Sequence, residues 1–249
     1  MEIFLGIDDT DNLTSPGTGH LLEKLRGEIE LLKLGKTSRI TRHQLFVHPK
    51  VPYTSHNSAM CCSINMEINQ KKALINYCKK FLIDFSAEGA DPGLCVLDLS
   101  LLPNSQKKEL INFGQRAKKE VLTKKEAYAL AKKINLHLSE HGGTGDGVIG
   151  ALAGVGLRLS GNDGRYKGWF TSLNKTDLLT VEELCLFPEI DEIRTFDKEI
   201  LAEQEKIFVQ GKLKTIHLFS KSILLVEKAE NKKGDYKWQS CPKEKIKLF

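Results

Sequence analysis

What this chain lacks narrows it first. Its six cysteines (Cys61, Cys62, Cys78, Cys95, Cys185 and Cys241) include no CxxC pair, so neither a zinc ribbon nor a regular disulfide framework is expected, and free thiols in a reducing compartment are. No apolar run is long enough to span a bilayer, and the opening MEIFLGID turns acidic too early for a secretory signal. A cytoplasmic protein without membrane contact is the expectation. No internal repeat or low-complexity segment is visible. The glycine-rich stretches carry no Walker A lysine, which excludes a P-loop, and the aspartate-rich stretch lacks the Gly and terminal Glu of an EF-hand at the required offsets.

What is present is a chain of 249 residues with formal net charge +5. That length fits one large domain or two small ones. The mild basic excess permits a nucleic-acid partner without requiring one.

EIFLGI alternates and is β-rich, so it reads as a strand that delivers Asp8 and Asp9 at its carboxyl end. From His20, Leu21, Leu22, Leu25, Ile29 and Leu32 recur at helical spacing up to a stop at Gly35. RITRHQLFV reads as a second strand and VPYTSHNSA as a polar loop. CCSINMEI, QKKALINYCKKFLIDF and GLCVLDLSL then follow as strand, helix and strand, the pattern of a βαβ unit. Two helices follow Pro103, the second opening with a Thr123–Glu126 capping box and predicted to run to about His141. A glycine-rich turn, a small-residue helix (VIGALAGVG) and β-structure bent at GNDG come next, and KTIHLFSKSILLVEKA reads as a strand pair.

The first stretch with chemistry is GIDDTDNLTSPGTG. Asp8, Asp9 and Asp11 repel one another, and a fold that holds them together needs a cation or shifted pKa values to relieve that repulsion. Magnesium, which takes one or two carboxylates and leaves its other positions to water and phosphate, is the natural candidate. The same string also reads as a strand-end turn in which Asp11 bonds nearby amides. In SPGTGH, Gly17 and Gly19 let a helix amino terminus approach an anion closely and Thr18 adds a hydroxyl; Ser15 or Thr18 as a simple helix cap is the alternative.

The second glycine cluster supplies Gly143, Thr144, Gly145 and Gly147 as further candidates for an anionic group. Its formal GxGxxG (Gly145, Gly147, Gly150) is a poor dinucleotide fingerprint, because the preceding AYALAKKINLHLSEH reads as helix where the motif requires a strand. Gly150, Gly154 and Gly156 read as packing positions. His43, His48 and His56 match no zinc spacing, whereas Asn57 and Ser58 are candidates for substrate contact. Arg39, Arg42, Arg158, Arg165 and Lys167 are candidate phosphate partners, though most such side chains are merely solvated.

Together these residues resemble the amino-terminal part of the archaeal tRNA-isoleucine agmatidine synthetases, which use ATP to attach agmatine to a wobble cytidine. The resemblance is carried by GIDDTD, by Thr18, by PKVPYTSHNSA, similar to a Pro-Ile-Pro-aromatic segment ending in Asn-Ala-Ala, and by GDGVIGALAGVG, similar to Gly-Leu-Ile-Gly-Ala-Leu-Ala. It implies an α+β fold with a kinase-like domain and an adjoining ferredoxin-like βαβ portion. The implied division is a nucleotide-binding catalytic region at 1–171, with 61–141 as a candidate ferredoxin-like portion, and a small β-containing region at 172–249. It further implies ATP and Mg²⁺ as cofactors, Asp8, Asp9 and Asp11 at magnesium and Thr18 at the transferred phosphate. The family's OB-fold and zinc-ribbon modules have no counterpart in the sequence. The expected partners are therefore a nucleotide and a small-molecule or RNA acceptor, without tight stand-alone tRNA binding. Two other readings stay open. One is a haloacid-dehalogenase-like phosphatase, weakened by Leu13 where its motif needs Thr or Val and by the lack of a downstream acidic pair; the other is a non-catalytic nucleotide-sensing or RNA-binding module.

Overall fold

The computed structural model describes residues 1–51, 56–229 and 236–249, with the backbone alone at 173–176. Residues 52–55, the centre of the PKVPYTSHNSA segment, lie outside the described residues. The fold is α+β and the chain divides into two compact units, Met1–Ser160 and Gly161–Phe249.

In the first unit β1 (Glu2–Asp8) lies between β4 (Ser58–Asn65) and β5 (Gly93–Asp98), antiparallel to both. β3 (Thr41–Gln44) and the two-residue β2 (Lys36–Thr37) pair with β4, and β6 (His137–Glu140) closes the other side on β5. β4 and β5, joined by α2 (Lys71–Phe85), are thus parallel to each other with β1 inserted: the predicted βαβ unit is present but split. Residues 61–141 share this sheet with β1.

Period-two alternation gives the sheet two buried faces. Ile3, Leu5 and Ile7 join Cys62 and Ile64 against Leu22, Leu25 and Ile29 of α1 (Thr18–Leu31) and Leu74, Phe81 and Leu82 of α2. Cys61, Cys95 and Leu97 face the other way, toward α5 (Gly147–Leu159), which α3 (Asn104–Ala117) and α4 (Lys124–Lys133) cover in turn. A helix apolar all round is a buried helix, and α5 is buried on nearly every residue. Glycine lets it sit directly on backbone. A Cβ at Gly93 would lie 2.2 Å from the Gly147 carbonyl carbon, and one at Gly6 2.6 Å from the Ala151 carbonyl oxygen.

One prediction is corrected. The helix that opens with the Thr123–Glu126 capping box stops at Lys133, because Asn135 takes a left-handed conformation (φ 54°) and Leu136 and Leu138 turn into the core around α5. Residues 137–140 form β6, so a strand does precede the glycine-rich loop. What excludes a dinucleotide fold is instead that β6 is an edge strand paired antiparallel with β5.

The second unit orders its strands β7 (Arg165–Tyr166), β11 (Ile216–Leu218), β12 (Lys221–Lys228), β13 (Trp238–Ser240), β10 (Lys206–Leu213) and β8 (Phe170–Thr180), with β9 (Glu192–Thr195) parallel to β12. The division expected at 171/172 falls inside β8. The predicted strand pair is the β11–β12 hairpin, turned by Phe219 and Ser220, both at positive φ (54° and 59°), as a two-residue primed turn requires.

Gly93→Ala is expected to destabilise the protein by about 1–3 kcal/mol through overpacking against α5. Gly27→Ala, on the exposed side of α1 with nothing within 4 Å of the added Cβ, should instead stabilise by roughly 0.5–1 kcal/mol. Urea unfolding of the two variants checks the contrast.

Candidate active site

β1 ends at Asp8, and Asp9 turns the chain with a positive φ of 52°. Beyond it, Asn12 Oδ1 accepts from the Thr14 and Ser15 amides at 3.0 Å each, while Ser15 Oγ accepts from the Asn12 amide at 2.8 Å. This Asx turn returns the loop to α1. Gly17 occupies the N-cap position and provides no side-chain cap; Asp11 does so from outside the helix. Asp11 Oδ1 accepts both the Thr18 amide (3.0 Å) and the Thr18 hydroxyl (2.6 Å). The reading of Ser15 or Thr18 as the cap is thereby corrected: Ser15 serves the turn, and Thr18 is a donor to Asp11. Thr18 is buried, as is Gly19 beside it. Thr18 Oγ also accepts the Thr10 amide at 3.3 Å, and the hydroxyl of Thr10 is buried without a hydrogen-bond partner.

The second glycine cluster meets this loop through α5. A Cβ at Gly150 would fall 1.6 Å from Asp8 Oδ2, so the Asp8 carboxylate lies on the first turn of that helix. Ahead of the turn, Gly143 and Gly145 adopt positive φ (56° and 79°). Asp91 grips Thr144 through its hydroxyl (2.6 Å) and its amide, and also accepts the Gly145 amide at 3.4 Å. Lys124 holds the Thr144 carbonyl and Glu140 (3.3 Å). Sequence reasoning does not single out Asp91, Asp146, Lys124 or Glu140; the one available signal is ADPG directly ahead of β5.

Burial, then the neighbouring charges of Asp9 and Asp11, push the Asp8 carboxyl up to about 8. Burial followed by Asp91, Asp11 and Asp146 raises Asp9 to about 6. Acids from three separate segments therefore act on Asp9. Among the described residues, no three His, Cys, Asp or Glu side chains are gathered closely enough to hold one metal ion. Magnesium requires only one or two carboxylates. Asp8 and Asp9 offer these as hard oxygen donors beside the unpartnered Thr10 hydroxyl, and that donor set fits the ion; Asp11 Oδ1 is already engaged by Thr18.

Other predicted residues are spread through the fold. Asn57 donates its amide to the Phe46 carbonyl at 2.7 Å, and Ser58 Oγ accepts from Arg42 Nε at 2.9 Å. His43 is buried against the Thr41 hydroxyl (2.8 Å). Arg158 is corrected as a phosphate partner: its guanidinium is buried, donating to the Arg39 and Cys61 carbonyls and the Thr41 and Ser38 hydroxyls. Arg165 and Lys167 belong to the second unit. A small cavity lined by Leu97, Leu102, Gln106 and Lys133 lies at the opposite end of β5 from Gly93.

Solved structures that share this fold include a tRNA fluorescent labeling enzyme (TM-score 0.54, 24% identity, covering 76% of this chain and 45% of that one). TiaS in complex with an isoleucine tRNA and ATP matches at TM-score 0.54 and 21% identity over 82% of this chain and 50% of its own. Apo TiaS, an agmatidine synthetase of isoleucine tRNA, matches at 0.54 and 23% over 80% and 48%. The chain spans about half the length of these proteins. No protein-family model matches it, and neither does any curated protein sequence.

A carboxyl that binds its proton more tightly folded than unfolded contributes full stability below the unfolded pKa and loses it as pH rises through the folded value. Without divalent cation, stability is therefore expected to fall between about pH 4 and about pH 8, the window set by Asp8 and Asp9. Urea midpoints across that range check this. Asp8→Asn should flatten the decline, and an unchanged slope would remove Asp8 as its source.

Proposed function

We propose that the chain is an ATP- and Mg²⁺-dependent phosphoryl-transfer or amine-ligation enzyme that acts on a small-molecule or RNA acceptor. The observation that carries the reading is the Thr18 hydroxyl 2.6 Å from Asp11 Oδ1, beside Asp8 and Asp9 at the close approach of β1 and α5. Support also comes from a fold shared with a synthetase solved with ATP and tRNA.

In this reading Asp8 and Asp9 hold Mg²⁺, which when bound neutralises phosphate charge. Asp11 fixes the Thr18 hydroxyl and can accept its proton, the relation of base to nucleophile. Gly17 and Gly19 at the start of α1, and Gly143, Thr144, Gly145 and Gly147 ahead of α5, leave backbone close to the phosphates, where amides act without reorganisation. Asn57 is assigned to the edge of the substrate site. A net charge of +5 supplies few phosphate contacts. The acceptor is accordingly a small molecule, or an RNA held weakly by this chain alone.

One observation favours a phosphatase: Asp91 and Asp146 act on Asp9, supplying downstream acids that the sequence alone does not reveal. Against it, Asp91 is committed to Thr144 and Leu13 still stands where the motif needs Thr or Val.

Asp9→Asn is expected to weaken Mg-ATP binding by about tenfold or more while leaving the fold intact, since it removes a charge that the ion neutralises. Thr18→Ala should abolish turnover and change Mg-ATP affinity by no more than about threefold, the pattern of a group used in the reaction rather than in binding. Calorimetry and an ATP-turnover screen with amine and RNA acceptors check both. Unchanged affinity in Asp9→Asn defeats the assignment, and phosphate release from monoesters without ATP selects the phosphatase.

A further inference from the structure

The proposed reaction needs two loops at one nucleotide, and a third segment ties those loops together. Residues 87–91, between α2 and β5, bond the carboxylate loop on one side. The Ala87 amide donates to the Thr10 carbonyl at 3.0 Å, and Asn12 Nδ2 donates to the Glu88 carbonyl at 3.2 Å. The same segment grips the glycine-rich loop on the other side through Asp91, which accepts the Thr144 hydroxyl at 2.6 Å, the Thr144 amide and the Gly145 amide at 3.4 Å. From the first residue of α4, Lys124 donates to the Thr144 carbonyl, and its Nζ lies 3.3 Å from Glu140 Oε2 at the end of β6. Every polar group of Thr144 is thereby taken, its donors by an acid and its carbonyl by a base. The flanking glycines follow from this clamp. At positive φ (56° and 79°) both favour glycine, and an added Cβ would fall on the Asp91 carboxylate at Gly143 and on the Glu140 carboxylate at Gly145.

The fold does not need these bonds. Lys124 and Glu140 form an exposed pair, with 35% and 46% of their side chains open to solvent, and such pairs contribute little to stability; α5 is held by its buried faces. What the clamp does fix is the direction of the first turn of α5, whose leading N–H groups have no partner within the helix. That turn sits at the carboxylates, since a Cβ at Gly147 would meet the backbone of Asp91, Gly93 and Asp8. We propose that Asp91 and Lys124 are positioning residues, which hold Thr144 so that the open amides at the start of α5 are set for the nucleotide phosphates before the nucleotide arrives. Donors already in place cost no reorganisation on binding, whereas a loop flanked by two unrestrained glycines would have to be ordered first. The proposal rests on the reading of this loop as phosphate-facing.

Charge alone predicts a different pattern. Asp91 adds to the negative field on Asp9, so its removal should favour an anionic nucleotide, while removal of the Lys124 ammonium should disfavour it. Positioning requires that both losses weaken binding.

The test is calorimetry of ATP binding to the full chain at saturating Mg²⁺, together with amide hydrogen exchange over residues 143–147. Asp91→Ala and Lys124→Ala are each expected to lose about tenfold in affinity, the scale of one charge-assisted bond, and to exchange the loop amides faster without nucleotide. Asp91→Asn, which keeps an acceptor for Thr144 without the charge, should recover part of that loss. Thr144→Val, which keeps the shape and removes the hydroxyl, should fall between wild type and Asp91→Ala, and decides the matter if Asp91→Ala does not fold. Tighter binding in Asp91→Ala, unchanged affinity in the variants, or loop exchange that stays as slow as in wild type overturns the proposal. A wild-type chain that binds no Mg-ATP defeats the phosphate reading and this proposal with it. Binding lost in Asp9→Asn but retained in the clamp variants defeats the proposal alone.

Discussion

The structure depends on how closely α5 approaches the sheet. Glycine faces glycine or bare backbone where the helix crosses β1 and β5, and a single added carbon at Gly93 or Gly6 would overlap a main-chain atom. That approach makes the sheet a two-sided core and buries α5 on nearly every side. It also brings the first turn of α5 onto the Asp8 carboxylate, with the 143–147 loop beside it. The same packing that stabilises the unit therefore leaves Asp8 only partly open to water, and the chemistry begins there.

An uncompensated buried carboxylate is costly, and the chain places several near one another. Burial and mutual repulsion raise the affinity of Asp8 and Asp9 for protons, and protonation relieves part of that cost. A bound cation would relieve it differently, by exchanging protons for metal, so the repulsion held among these carboxylates is also their selectivity for a charged ligand. Asp11 escapes this cost by bonding the start of α1 through Thr18, and so fixes the Thr18 hydroxyl beside the other two. At the other end of α5, Arg158 binds carbonyls and hydroxyls of the β3 region and β4, anchoring the helix from the side away from the site.

Much of this was legible in the sequence because it is periodic or local. The alternation of Ile3, Leu5 and Ile7, the 3.6-residue repeat from Leu22 to Ile29 and the Thr123–Glu126 box each determine an element from neighbouring residues alone. Asp8, Asp9, Asp11 and Thr18 stood out for the same reason, being adjacent in the chain. What escaped was set by tertiary contact. Leu136 and Leu138 continue a helical pattern on paper, yet β5 offers an open edge that pairs with 137–140 and wins. Asp91 and Asp146 reach Asp9 only because β5 and α5 begin beside the end of β1, and of the two only Asp91, in ADPG, carries a local signal. Arg158 reads as a free cation unless the carbonyls of Arg39 and Cys61 are known to surround it.

A crystal structure with Mn²⁺ and a non-hydrolysable ATP analogue, in which anomalous scattering locates the metal, tests whether Asp8 and Asp9, brought against α5 by its glycines, hold a divalent ion for nucleotide phosphates. A single Mn²⁺ peak coordinated by Asp8 and Asp9 oxygens is expected, with phosphates lying between the Gly17–Gly19 turn and the 143–147 loop. A nucleotide bound elsewhere in the chain, or a metal that contacts neither aspartate, would contradict that assignment.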